Sequence, residues 1–263
     1  MRLCVIVATI ALVSGLALPA AADQWSKTYP VSGRLDLMTS TGDGDVRVDV
    51  WDEARVEARI DTVGYEINKD FQLIESQSGN RISIELKFPP MNWGIHTGRH
   101  SVTVTLKVPR EANLDLHTGD GGVSVAGAKG DVRLHTGDGG IDAKGLDGRL
   151  VASTGDGHIT VEGRFDALDL HTGDGSVEAA AKAGSTVAAA WSVRTGDGSV
   201  TLRLPGDFKA DVDARTGDGH MTLDLPVAIS GSVNRSHVRG TLNGGGGSVN
   251  LHTGNGSIRL ERY

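Results

Sequence analysis

The tetrapeptide Thr-Gly-Asp-Gly begins at Thr41, Thr118, Thr136, Thr154, Thr172, Thr195 and Thr216, with a Thr-Gly-Asn-Gly variant at Thr253. The first step is 77 residues, the next three are 18 each, and the last three are 23, 21 and 37. A fixed short period in a chain of this length marks a stacked repeat, in which each unit is too small to bury its own core and relies on its neighbours.

Apolar alternation on both sides of the motif identifies the unit as strand, tight turn, strand. In the repeat Asp131 to Gly148, Val132, Leu134 and Thr136 share one side of the first strand, and Ile141 and Ala143 share one side of the second. Arg133, His135, Asp142 and Lys144 point the other way, the period-two signature of half-buried strands. The next repeat carries Leu150, Ala152, Thr154, Ile159 and Val161 inward, and the one after carries Leu168, Leu170, Thr172, Val177 and Ala179. The expected fold is all-β: a β-solenoid or flattened β-helix with rungs of about 18 residues.

The segment 23–110 is different. Its alternating strands are longer (Val46 to Val50, Val56 to Ile60, Ile82 to Leu86, Val102 to Val108), and one motif is followed by 77 residues without another. Antiparallel hairpins that extend the sheets and cap the amino end are expected there, continuous with a repeat region at 111–263. The stretch from Pro89 to His100, with Trp93 and His96, is its most irregular part. An Ala-rich insertion between Ala179 and Ala190 accounts for the 23-residue step, and the 37-residue step fits two rungs, one without the motif.

Residues 1–22 read as a signal peptide: Arg2, an apolar run from Leu3 to Leu18, then Ala20-Ala21-Ala22, with cleavage expected before Asp23. The apolar run is short for a membrane span, and no later stretch is long enough for one. Cys4, the single cysteine, leaves with that peptide, so no disulfide staples the exported chain. The net charge is −7, or −8 once Arg2 is removed, which argues against nucleic acid and anionic membrane surfaces as partners. The expected location is the periplasm, the medium or the cell surface. Glycine contributes 37 of 263 residues, about twice its usual ~7% share, and the copies fall at turns between aliphatic alternations rather than at random.

The motif has a turn chemistry. Glycine supplies positive φ, aspartate tolerates left-handed geometry while bonding nearby amides, and the inward threonine offers its hydroxyl to a turn amide. On this reading Thr118-Gly119-Asp120-Gly121, Thr136-Gly137-Asp138-Gly139, Thr154-Gly155-Asp156-Gly157 and Thr172-Gly173-Asp174-Gly175 are structural devices. Stacking adds two alternatives. Asp120, Asp138, Asp156 and Asp174 would form a carboxylate ladder about 4.8 Å apart, whose mutual repulsion calcium would relieve. The residue before each threonine faces outward, so His117, His135, Ser153, His171, Arg194, Arg215 and His252 form a second row, in which His117, His135 and His171 are candidate ligands for a transition metal.

Enzyme signatures are absent. No His-Glu-x-x-His, Gly-x-Ser-x-Gly or phosphate-cradling Gly-Lys-Ser/Thr occurs, and no thiol survives cleavage. The acids are spread over every repeat rather than gathered as a carbohydrate-active β-helix enzyme would need, although such an enzyme is the runner-up reading. No catalytic residue and no cofactor are assigned.

With these residues in place, the chain resembles a bacterial family of exported β-strand-repeat proteins labelled putative adhesins, a domain of unknown function. The resemblance rests on the leader, the Thr-Gly-Asp-Gly-x-Val/Ile units, and the closing Leu242-Asn-Gly-Gly-Gly followed by Leu251-His-Thr-Gly-Asn-Gly-Ser-Ile-Arg-Leu260. It implies a non-catalytic binding or scaffold protein with a protein or carbohydrate ligand at the envelope or surface, and leaves self-association through sheet edges open.

Overall fold

A computed structural model describes residues 23–89, 100–225, 227–229 and 236–263. The expected signal peptide and the Trp93–His96 part of the irregular loop lie outside the described residues. Those described are all-β, with twenty-one strands numbered in chain order and no helix.

The strands form two ladders. The first holds the strands that lead into the motif. It runs in space through β5 (Gln72–Ser78), β6 (Arg81–Lys87), β2 (Leu35–Thr41), β8 (Ala112–Thr118), β10 (Lys129–Thr136) and the later parts of β11 (Ile141–Thr154) and β12 (Ile159–Asp174). It continues through β14 (Trp191–Asp197), β20 (Gly247–Asn255), β16 (Ala210–Asp218), β19 (His237–Leu242) and β18 (Val227–Ile229). The second ladder holds the strands that leave the motif. Its order is β1 (Gln24–Pro30), β4 (Arg55–Val63), β7 (Ser101–Pro109), β3 (Asp45–Trp51), β9 (Val123–Ala126), then the early parts of β11 and β12. β13 (Val177–Ala181), β15 (Val200–Leu204), β21 (Ile258–Arg262) and β17 (Met221–Leu223) complete it.

Interior pairings are parallel and in register: Val132 faces Leu150, which faces Leu168, and Ile141 faces Ile159, which faces Val177. That register puts like residues above one another, so the alternation becomes a continuous aliphatic core. Val132, Leu134, Ile141, Ala143, Leu150, Ala152, Ile159 and Val161 are all buried. Antiparallel pairing is confined to the two ends, where β1–β4, β4–β7 and β5–β6 close one end and β16–β19 and β18–β19 the other. At the first end the edge strands β1 and β5 are joined by Glu75, which accepts from Tyr29 Oη at 2.9 Å and pairs with Lys27. Desolvation of the buried phenol, and then its bond to Glu75, push the Tyr29 hydroxyl well above its ordinary range.

Spatial order departs from chain order at both ends. The pair β2–β3 lies between β6–β7 and β8–β9, and the pair β20–β21 lies between β14–β15 and β16–β17. In space the motifs therefore run Thr41, Thr118, Thr136, Thr154, Thr172, Thr195, Thr253, Thr216. Among the described residues the 37-residue step holds no second parallel repeat: β19 runs antiparallel to β16, with Ala214 opposite Val238. The last repeat instead folds back into the stack. Its core side chains, Val249, Leu251, Ile258 and Leu260, are thereby covered on both sides instead of ending an edge.

Candidate binding surfaces

Each repeat turns two corners, and they need glycine for different reasons. At the corner after the second strand, Gly127 (φ +85°) and Gly145 (φ +65°) are left-handed, where a Cβ is penalised. The Thr-Gly-Asp-Gly corners at Thr118, Thr136 and Thr154 are not built that way, since none of their glycines has positive φ. Apart from glycine, the positive-φ residues among those described are Asn68 and Asn243, so no motif aspartate is left-handed. The expectation of a left-handed aspartate is thus overturned, while positive φ at the last motif glycine holds in three copies, Gly175 (+159°), Gly198 (+154°) and Gly256 (+152°). Glycine is required there because the neighbouring repeat is too close. A Cβ on Gly139 would lie 2.0 Å from the Gly121 carbonyl oxygen, and one on Gly157 2.0 Å from that of Gly139. The chain continues its ladder through the corner, with the Gly137 amide donating to Gly119 O at 2.6 Å and the Gly155 amide to Gly137 O at 2.5 Å.

The buried threonines stitch the corners together. Each donates its hydroxyl to the carbonyl of the last motif glycine of the adjacent copy: Thr118 to Gly44 (2.8 Å), Thr136 to Gly121 (2.8 Å), Thr154 to Gly139 (2.9 Å) and Thr172 to Gly157 (2.9 Å). The series follows space rather than sequence, with Thr195 to Gly175 (2.7 Å), Thr253 to Gly198 (2.7 Å) and Thr216 to Gly256 (2.8 Å). The expected bond to a turn amide is also present in two copies, where Thr136 and Thr154 accept from Gly139 (3.1 Å) and Gly157 (3.2 Å). Thr41, first in the stack, is buried and has no partner for its hydroxyl among the described residues.

The candidate ion ligands lie on the surface. Asp120, Asp138, Asp156 and Asp174 are exposed at successive corners. Asn255 occupies the equivalent slot between Asp197 and Asp218 and donates to Asp197 Oδ1 at 2.5 Å, which removes one charge where the folded-back repeat enters the row. In the imidazole row His117 and His135 have ring centroids 5.7 Å apart. Their neighbours are protein groups: His117 Nε2 lies 2.7 Å from Asp115 Oδ1, and His135 Nδ1 lies 2.8 Å from Ser153 Oγ. His171 follows, then Arg194, and His252 stands between Arg194 and Arg215. Among the described residues no group of three or more His, Cys, Asp or Glu is placed to hold a metal ion. The row ends near Asp213, whose carboxylate is hydrogen-bonded by Arg215, Arg239 and His237. These bonds, Arg215's first, outweigh its partial burial and hold it far below the usual carboxylate range.

The opposite outward face carries a feature the motif search missed. The residue following each motif faces out, and across the stack it is Asp45, Gly122, Gly140, His158, Ser176, Ser199, Ser257 and His220. Two adjacent glycines leave an open trough of about 420 Å³, bounded by Asp45 and Arg47 at one end and His158 and Thr160 at the other, with Ser124 and Asp142 along its side. Neither glycine is forced by the backbone. A Cβ at Gly122 or at Gly140 would approach nothing closer than 3.5 Å, and neither has positive φ. Their neighbours in sequence, Gly121 and Gly139, admit no side chain at all. The signal in the sequence was the Gly-Gly doublet in place of glycine followed by a polar residue.

Parallel strands stacked in register, with one tetrapeptide closing each repeat, define a β-repeat protein. The family model described as Toastrack DUF4097 matches residues 112–261, and the chain belongs to that family. Its fold is shared at low identity by a solved structure. A chain from Bacteroides fragilis NCTC 9343 described as a "putative adhesin" aligns with a TM-score of 0.52 and 12% identity, over 94% of this chain and 100% of that one. A "putative cell adhesion protein" from Clostridium sporogenes ATCC 15579 gives 0.48 and 12%, over 92% and 100%. A "putative lipid binding protein" from Parabacteroides distasonis ATCC 8503 gives 0.45 and 13%, over 92% and 98%. None of the curated proteins matches the chain.

Proposed function

We propose that this chain is an exported, non-catalytic β-solenoid that acts as an adhesin or envelope-binding scaffold in the periplasm or at the cell surface. The observation that carries the reading is the repetition of outward positions on strand after strand. Along the second ladder, the row through Thr105, Arg47, Ser124, Asp142, Thr160, Glu178, Thr201, Arg259 and Thr222 alternates hydroxyl and charge over nine adjacent strands. Such a face offers many equivalent contacts to an extended or multivalent ligand, and multivalency turns weak contacts into firm attachment. Antiparallel strands cover both ladders at the first end and the first ladder at the other, which suits a rigid body displayed as a unit. The adhesin descriptions of similarly folded chains agree with this reading at the level of the family.

The test is saturable binding of labelled mature protein (residues 23–263) to intact cells and to isolated envelopes, with release measured against salt. The expected result is saturable, multivalent binding. Turnover of a polysaccharide substrate without saturable binding would replace this reading with the carbohydrate-active enzyme.

A further inference from the structure

Resting on that reading of the chain as a surface-binding protein, we propose that the trough over Gly122 and Gly140 is a binding site for a neutral sugar unit of a surface glycan. The trough spans three strand spacings, about 14 Å, between Asp45 on β3 and His158 on β12, so a sugar ring fits within it. Its floor is glycine Cα and backbone, flat enough for the apolar face of a ring. The absence of side chains there is a choice of sequence, since neither position is crowded or left-handed and three later repeats carry serine in the same slot.

The walls select the chemistry. Asp45 and Asp142 bring two carboxylates, and each already has a cation beside it: Arg47 lies 3.5 Å from Asp45, and Lys144 lies 2.9 Å from Asp142. The wall is nearly neutral in sum, with no unpaired positive charge to attract an anion. The carboxylates stand on strands two apart and do not converge on one point, so a cation is not clamped. Strand addition by a peptide is closed off as well, because the floor carbonyls are taken: Gly122 O accepts from Val46 N and Gly140 O from Val123 N, both at 2.9 Å. A hydroxyl-rich neutral ligand fits what remains. Carboxylates accept from its hydroxyls, Ser124 and Thr160 give and accept, and Arg47 donates. His158 Nδ1 accepts from the Ser176 amide at 3.0 Å, which leaves the ring proton on Nε2 as a further donor.

The experiment compares parent protein with Gly122→Ser/Gly140→Ser, which installs the residue found at Ser176, Ser199 and Ser257. The probes are immobilised maltotriose, cellotriose, chitotriose and trigalacturonate, read by interferometry alongside whole-cell binding. The expected result is saturable binding of at least one neutral trisaccharide. Affinity should fall at least tenfold in the double variant and in Asp142→Asn, and stay unchanged in Arg133→Ala, an exposed position on the outward face of the other ladder. The double variant should melt within about 2 °C of the parent, so loss of binding is not loss of fold. Equal binding by parent and double variant overturns the site, and binding of trigalacturonate alone overturns the neutral class. Binding to cells with no trisaccharide bound overturns this inference and leaves the adhesion reading standing. Loss of cell binding as well sinks both.

Discussion

The sharpest consequence of the corner geometry is that two adjacent glycines should respond oppositely to one methyl group. In Gly139→Ala the new Cβ would start 2.0 Å from Gly121 O and 2.5 Å from Gly121 C. Real Cβ contacts stop near 3.0 Å, so the two repeats must part by about 1 Å at a corner where strands sit ~4.8 Å apart. The parting strains the Thr136 hydroxyl bond to Gly121 O and the Gly137 amide bond to Gly119 O, at 2.8 and 2.6 Å. Each is worth about 1 kcal/mol net, and overpacking adds roughly 1–3 kcal/mol. A loss of about 3 kcal/mol or more follows, a fall in Tm of roughly 6–12 °C for a chain of this size. In Gly140→Ala the nearest atom is 3.5 Å away and φ is permissive, so stability should change by no more than about 0.5 kcal/mol or rise through reduced freedom of the unfolded chain. Thermal unfolding followed by far-ultraviolet circular dichroism reads both. Equal midpoints, or a larger fall for Gly140→Ala, would refute close approach as the reason for the motif's glycines.

Thr136→Val keeps the shape but leaves Gly121 O without its donor, and should cost about 1–3 kcal/mol. Thr41→Val should be neutral or stabilising, because that hydroxyl has no partner among the described residues; chemical denaturation separates them. Leu134→Asp should destabilise by several kcal/mol through an unpaired buried charge, whereas exposed His135→Ser should be nearly silent; matching melting points would show that the inward and outward assignments are wrong. Replacing Asp120, Asp138 and Asp156 together by Asn should stabilise slightly by relieving repulsion, and the parent should show no calcium-dependent rise in Tm. A rise that the triple variant loses would establish a calcium ladder, since an ion that binds the folded state must stabilise it. Asp213 has a folded pKa below its unfolded value, so its stabilisation is present above the unfolded value of about 3.9 and is lost as pH falls toward the folded one. Asp213→Asn should therefore lower stability at pH 7 and flatten its decline between pH 5 and 2; a parallel decline in both proteins would contradict this.

What the sequence revealed was whatever depends on neighbours two or eighteen residues away. Alternation at Val132, Leu134, Ile141 and Ala143 marked the inward positions, and all are buried. The constant step between motifs aligned His117 with His135 and Leu150 with Leu168, which pair in the ladders. The chief reason for the motif's glycines was not legible, because glycine serves two physical needs that composition cannot separate. Gly127 and Gly145 serve left-handed backbone, while the motif glycines, three of them (Gly175, Gly198 and Gly256) also at positive φ, make room for a carbonyl of the next repeat, an atom remote in sequence except through the stacking itself.

The order of the ends was hidden for a related reason. Parallel stacking obliges each repeat to lie on another of the same register, but does not specify which one, and every motif-bearing repeat presents nearly the same hydrogen-bonding edge. Thr216 donates to Gly256 with the same 2.8 Å geometry that Thr136 shows toward Gly121, although 40 residues separate the first pair and 15 the second. The edge that opens after Thr195 is therefore chemically fit for either remaining repeat. What differs is the cover each can bring. The repeat at Thr216 continues into β19, which pairs antiparallel with β16, and β18, which pairs antiparallel with β19. Placing this hairpin-bearing repeat outermost pairs more backbone at an otherwise open edge, and Asn255 between Asp197 and Asp218 lowers the charge density along the corner row at the same point.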